Sequence, residues 1–167
     1  VTPIAGKTVT LSSIDLRNSA VVLDGPGNLN ITASYGIASL AASSGKLAAS
    51  GVAVDGGLAI SGGTAEVSDS YFAGGLQLSA GNASLNNVTV SGLTLGSNGT
   101  LNLAGPLKIQ PSATGPSIGS TTIDGLVTGN GGLFALQQSL KIGPHFSGSI
   151  NSLSLTGGQL EYDPTPA

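Results

Sequence analysis

Glycine recurs at one fixed interval over the middle of this chain, and each time an apolar–x–apolar triplet follows it. The segments are Gly27-Asn28-Leu29-Asn30-Ile31, Gly45-Lys46-Leu47-Ala48-Ala49, Gly63-Thr64-Ala65-Glu66-Val67, Gly81-Asn82-Ala83-Ser84-Leu85 and Gly99-Thr100-Leu101-Asn102-Leu103. All ten alternate positions are Leu, Ile, Val or Ala, in a sequence that is 40% hydrophobic. Chance alone would give that about once in ten thousand trials, before the glycines are counted. Such a period points to a repeat architecture.

Two more alternating segments ride on the same period. One is Val52-Ala53-Val54, Ser70-Tyr71-Phe72 and Val88-Thr89-Val90. The other is Leu40-Ala41-Ala42, Leu58-Ala59-Ile60 and Leu76-Gln77-Leu78, slipping by one residue at Leu93-Thr94-Leu95. Alternation puts one face of a strand inward and the other outward. The segments are too short for helices, and Gly and Ser fill the corners. A single coil cannot bury its own inner face, so coils must stack. The sequence therefore predicts one all-β domain over 1–167, a right-handed parallel β-solenoid with about 18 residues per triangular coil. About eight coils at about 4.8 Å would make a rod some 40 Å long.

The right-handed form is preferred because a left-handed hexapeptide solenoid needs an aliphatic at every sixth position. Here those positions include Tyr71, Thr89 and Gln77. Regular coils are expected over 27–109, looser ones over 9–26 and 117–160, and a tail over 161–167. Val9-Thr10-Leu11, Ile14-Asp15-Leu16 and Val21-Val22-Leu23 read as a longer first coil, and Pro106, Pro111 and Pro116 as a loop at one corner. The first residue is Val1 rather than Met, which suggests a mature form or an excised domain.

Composition narrows the function. Only 8% of residues are charged, against the roughly 25% usual in globular chains. The five cations Lys7, Arg17, Lys46, Lys108 and Lys141 are scattered along a chain of net charge −3, which argues against dedicated duplex nucleic-acid binding. With no Cys there is neither a disulfide nor a thiolate metal site. No apolar run is long enough to span a membrane as a helix, and no cofactor is expected.

Chemistry-bearing residues are sparse. His145 is the single histidine and reads as a loop residue outside any triad. A glycosidase needs paired carboxylates. Stacking two of them takes an offset near 18, whereas Asp55 and Asp69 differ by 14 and Glu66 lies in another column. Sequons occur at Asn30, Asn82, Asn87 and Asn98; in a eukaryotic secreted protein they would be glycan acceptors, and in a chain rich in Asn, Ser and Thr they also arise by chance. Only Thr8-Val9-Thr10 has the Thr-x-Thr form of an ice-binding ladder. Tyr71, Gln77 and Thr89 are the candidates for an outward binding strip.

The Gly-x-aliphatic-x-aliphatic coils, low charge, absent Cys and Ser/Thr/Asn-rich outer positions resemble β-solenoid domains of bacterial cell-surface proteins. Autotransporter passengers, large adhesins and the solenoids of pilus-tip minor pilins are the nearest groups, and bactofilins resemble the chain less closely. The resemblance implies an extracellular, non-enzymatic module that adheres, displays or extends, its partner another surface protein or a polysaccharide. A carbohydrate-active solenoid enzyme, an end-to-end polymerising filament subunit and an ice-binding solenoid are the alternatives.

Overall fold

The computed structural model describes residues 1–111 and 120–163. Among these residues there are eighteen strands and no helix, and every strand pairing is parallel. The strands form three ladders, each climbing one face of a solenoid of eight coils. The coils span 8–23, 28–42, 46–60, 64–78, 82–95, 100–123, 126–142 and 147–162.

The first face carries the glycine-led segments. Leu29, Leu47, Ala65, Ala83 and Leu101 stack in register, as do Ile31, Ala49, Val67, Leu85 and Leu103. All ten are at most 3% exposed. The outward file between them is Asn30, Ala48, Glu66, Ser84 and Asn102. The second face runs through Ala53, Tyr71, Thr89, Lys108, Phe134 and Ser154. The third runs through Ala41, Ala59, Gln77, Thr94, Thr122, Lys141 and Glu161. Each fully buried Leu, Ile or Val adds about 1.5–3 kcal/mol of transfer free energy, so the core is a column of small contributions rather than one aromatic cluster. Phe72 is the one ring wholly inside it among the described residues.

Corners are made by residues that accept positive φ. The first-to-second corner stacks Ser13, Ala33, Gly51, Asp69 and Asn87, with φ of 51°, 47°, 62°, 49° and 54°. Asn and Asp tolerate this region better than most residues, and the Asn87 side-chain amide donates to Asp69 Oδ1 at 2.8 Å, coil to coil. The bend diverts backbone donors from the ladder, and inward serines recover them. Ser70 Oγ accepts from the N–H of Val52 at 3.2 Å, and Ser34 Oγ accepts from that of Ile14 at 3.4 Å.

The offset between coils is not constant. Asn28 stacks on Thr8 at an offset of 20, and the offset is then 18 at each step from Asn28 through Lys46, Thr64 and Asn82 to Thr100. The slip at Leu93-Thr94-Leu95 is present, and a bulge between Leu95 and Asn98 restores the register. Thr94 then pairs with Thr122 at an offset of 28, well beyond one regular period. Gln138 ties the coils together beside this longer step. It is buried, its amide donates to the Ser91 carbonyl two coils away, and its oxygen accepts from Thr121 Oγ1 at 3.1 Å. Pro106 is in register, its carbonyl accepting from Val88 N–H. Pro116, residues 117–119 and residues 164–167 lie outside the described residues. Glu161 and Tyr162, read from sequence as tail, belong to the last strand of the third face.

Candidate ligand-binding face

Alternation along the second face forces a choice at every rung. Phe72 turns inward, so its neighbour Tyr71 must turn outward, and Ala135 does the same to Phe134 and Leu136. Ala53 N–H bonds to the Ser34 carbonyl at 3.2 Å, which brings Tyr35 onto the same face above Ala53. The outward file is therefore Tyr35, Ala53, Tyr71, Thr89, Lys108, Phe134 and Ser154. Tyr35 is 57% exposed, Tyr71 39% and Phe134 41%. Three of the six aromatic residues thus stand in water along one line. Rings left in water forgo burial energy, and a grouped apolar surface of this kind marks a contact site.

Shallow hollows follow the file. One, of about 560 Å³, runs from Tyr35 past Ala53 and Tyr71 to Thr89 and is bordered by the corner residues Asp69 and Asn87. A second, of about 240 Å³, lies between Lys108, Gln110, Phe134, Leu136, Ser154 and Thr156.

Of the residues expected on a binding strip, Tyr71 and Thr89 are direct ladder partners. Gln77 is exposed too, but on the third face between Ala59 and Thr94. Tyr35, 18 residues before Ala53, is on the period but outside the alternating triplets read from it, and Phe134, 26 residues after Lys108, is off the period.

The first face differs in kind. It is flat and polar, with side chains bonded coil to coil: Thr32 to Ser12 at 2.9 Å, Ser68 to Ser50 at 2.9 Å, and Asn102 to Ser84 at 3.0 Å. A hollow of about 420 Å³ sits where Ala48 is small between Asn30 and Glu66. Lys46 and Glu66 pair on this face at 2.7 Å, both well exposed, so the pair is worth little. Asn30 and Asn82 point outward on this face, while Asn87 and Asn98 are exposed outside it.

His145 has a partner that its spacing concealed. Asp124, at an offset of 21, accepts from its backbone N–H at 2.8 Å and meets its Nδ1 at 3.0 Å. The backbone hydrogen bond, then the ring, hold the Asp124 carboxyl below its ordinary value of 3.8. A folded value below the unfolded one means that the stabilisation is complete above pH 3.8 and is lost as pH falls through the lowered value. Amide protection at Ser147 and Ser149, which bond back to Gly125 and Val127, should decline in that acid range. In Asp124→Asn it should be lower at neutral pH and lack the acid step; an unchanged step would assign it to another group.

Four more carboxylates are engaged: Asp15 accepts from Arg17 N–H, Asp24 from Ser43, Asp69 from Asn87, and Asp163 pairs with Lys141. Among the described residues no group of three His, Cys, Asp or Glu is placed to hold a metal ion, and no helix is long and apolar enough to cross a membrane. Comparison with protein-family models, curated proteins and solved structures returns no match.

Proposed function

We propose that the chain is a non-enzymatic display module of the cell surface, a stiff rod that binds an extended partner along its second face. The file of Tyr35, Tyr71 and Phe134 carries this reading, since a rod with no partner would gain from turning such positions polar. The extracellular setting is supported by the resemblance of its coils to those of exported bacterial solenoids. The hollows are open and shallow, which suits distributed contact rather than a reaction held away from water. Fluorescently labelled protein should bind intact bacterial cells, and the triple variant Tyr35→Ala/Tyr71→Ala/Phe134→Ala should lose about tenfold or more of that affinity. Undiminished binding by the triple variant would remove the second face from the account. Release of reducing ends from soluble polysaccharides would replace it with an enzyme.

Coil 8 favours a second reading, end-to-end self-association. Leu160 is 56% exposed and Tyr162 70%, on a coil that, among the described residues, pairs only with the coil before it. Mass that grows with concentration in light scattering would support it, and constant mass would end it.

A further inference from the structure

We infer that the partner of the second face is a neutral, extended β-1,4-linked polysaccharide, with Tyr35 and Tyr71 each stacking on a sugar ring. This rests on the second face being the binding surface. The two rings are two rungs apart, about 9.6 Å at the strand spacing of about 4.8 Å, a period close to the disaccharide repeat of a two-fold extended β-1,4 chain. The residue between them is Ala53, whose methyl leaves the hollow of about 560 Å³ open from one ring to the other.

The chemistry of the border fits a sugar. A pyranose has an apolar C–H face and a rim of hydroxyls, so it asks for an aromatic platform with neutral donors and acceptors beside it. Thr89 supplies a hydroxyl at the edge of the hollow. Asn87 supplies an amide whose carbonyl oxygen remains available while its N–H holds Asp69. Asp69 is the one charged side chain lining this hollow, and no cation lines it, so a polyanionic polymer finds no counter-charge there.

An extended peptide fits less well. The backbone groups beneath the file are already spent in the ladders between Ala53, Tyr71 and Thr89. A strand laid over them would leave its own amides without main-chain partners. A polyproline helix, with a turn of about 9.3 Å, matches the ring spacing but brings no hydroxyl rim.

The test is calorimetric titration of the protein with cellohexaose, mannohexaose and xylohexaose, with their disaccharides, with a proline-rich dodecapeptide and with polygalacturonate. At least one hexaose should bind about tenfold more tightly than its disaccharide, because only the longer chain reaches both rings. Tyr35→Ala and Tyr71→Ala should each weaken hexaose binding about tenfold, while Gln77→Ala, on the third face, should leave it unchanged. Equal affinity for disaccharide and hexaose, indifference to both tyrosine substitutions, or preference for polygalacturonate would overturn the assignment. If the hexaoses fail while the triple variant still loses cell binding, or if the dodecapeptide binds through the tyrosines, the sugar class falls and the face stands. If no probe binds and the triple variant behaves as wild type, both fall.

Discussion

Leu85→Asp is expected to unfold the middle of the rod, lowering stability by more than about 4 kcal/mol in urea denaturation. Leu85 is 0% exposed and stacks between Val67 and Leu103. A carboxylate there meets only aliphatic neighbours, and burying an unpaired charge costs far more than the lost packing. In a stack where each coil touches only the next, the damage spreads to both adjacent coils and lowers the cooperativity of unfolding along with the midpoint. Thr94→Asp is the matching control. Thr94 is exposed between Gln77 and Thr122, with no charge beside it in the ladder, and should change stability by no more than about 0.5 kcal/mol. Equal damage from the two substitutions would contradict the inward and outward assignment.

The second large effect belongs to the glycine stack that leads into the first face. Gly63 has φ of +72°, and a Cβ built there would lie 2.8 Å from the Ser44 carbonyl carbon and 3.0 Å from the Gly45 amide nitrogen. Both obstacles are backbone of the coil before, so relief requires the rungs to part. Gly63→Ala should therefore lower stability by about 3 kcal/mol, from left-handed strain and lost pairing together. Gly51 has a similar φ of +62°, yet the nearest atom to an added Cβ is 3.8 Å away. Its stacking neighbours Ala33 and Asp69 already hold side chains at φ of 47° and 49°. Gly51→Asn should be neutral to within about 0.5 kcal/mol, with the strain offset by reduced freedom in the unfolded chain. Thermal denaturation of the two variants in parallel separates close approach from backbone hand as the reason for glycine.

These contrasts show what a periodic sequence discloses. The inner residues from Leu29 to Leu103 could be read directly, because a solenoid with a constant coil length repeats its environment along with its sequence. Tyr71 and Thr89 could be placed in one column for the same reason. Tyr35 lies on that column as well, 18 residues before Ala53, but the alternation breaks at Gly36, so that Ile37 pairs with Val54 at an offset of 17 and no regular triplet marks the strand. Phe134 could not be placed, because it stacks on Lys108 at an offset of 26, well beyond the period. The Asp124–His145 pair escaped through an offset of 21, where 18 would have been sought. Coil length is set locally, by how many residues each corner spends, and the corners of the last coils spend more. Gln138 carries no periodic signal at all: a polar side chain is accommodated in the core there by its hydrogen bonds to the Ser91 carbonyl and the Thr121 hydroxyl.

The stacking itself can be tested with cysteine pairs, which the chain makes possible by having no cysteine of its own. In the double variant Tyr71→Cys/Thr89→Cys the two residues are ladder partners on adjacent rungs, about 4.8 Å apart and inside the range for a disulfide. In Tyr71→Cys/Gln77→Cys they are closer in sequence but stand on different faces. The structure predicts rapid intramolecular oxidation of the first pair, with no loss of thermal stability, and persistence of free thiols in the second. Closure of the second pair while the first stays reduced would contradict the stacked coils from which every other conclusion follows.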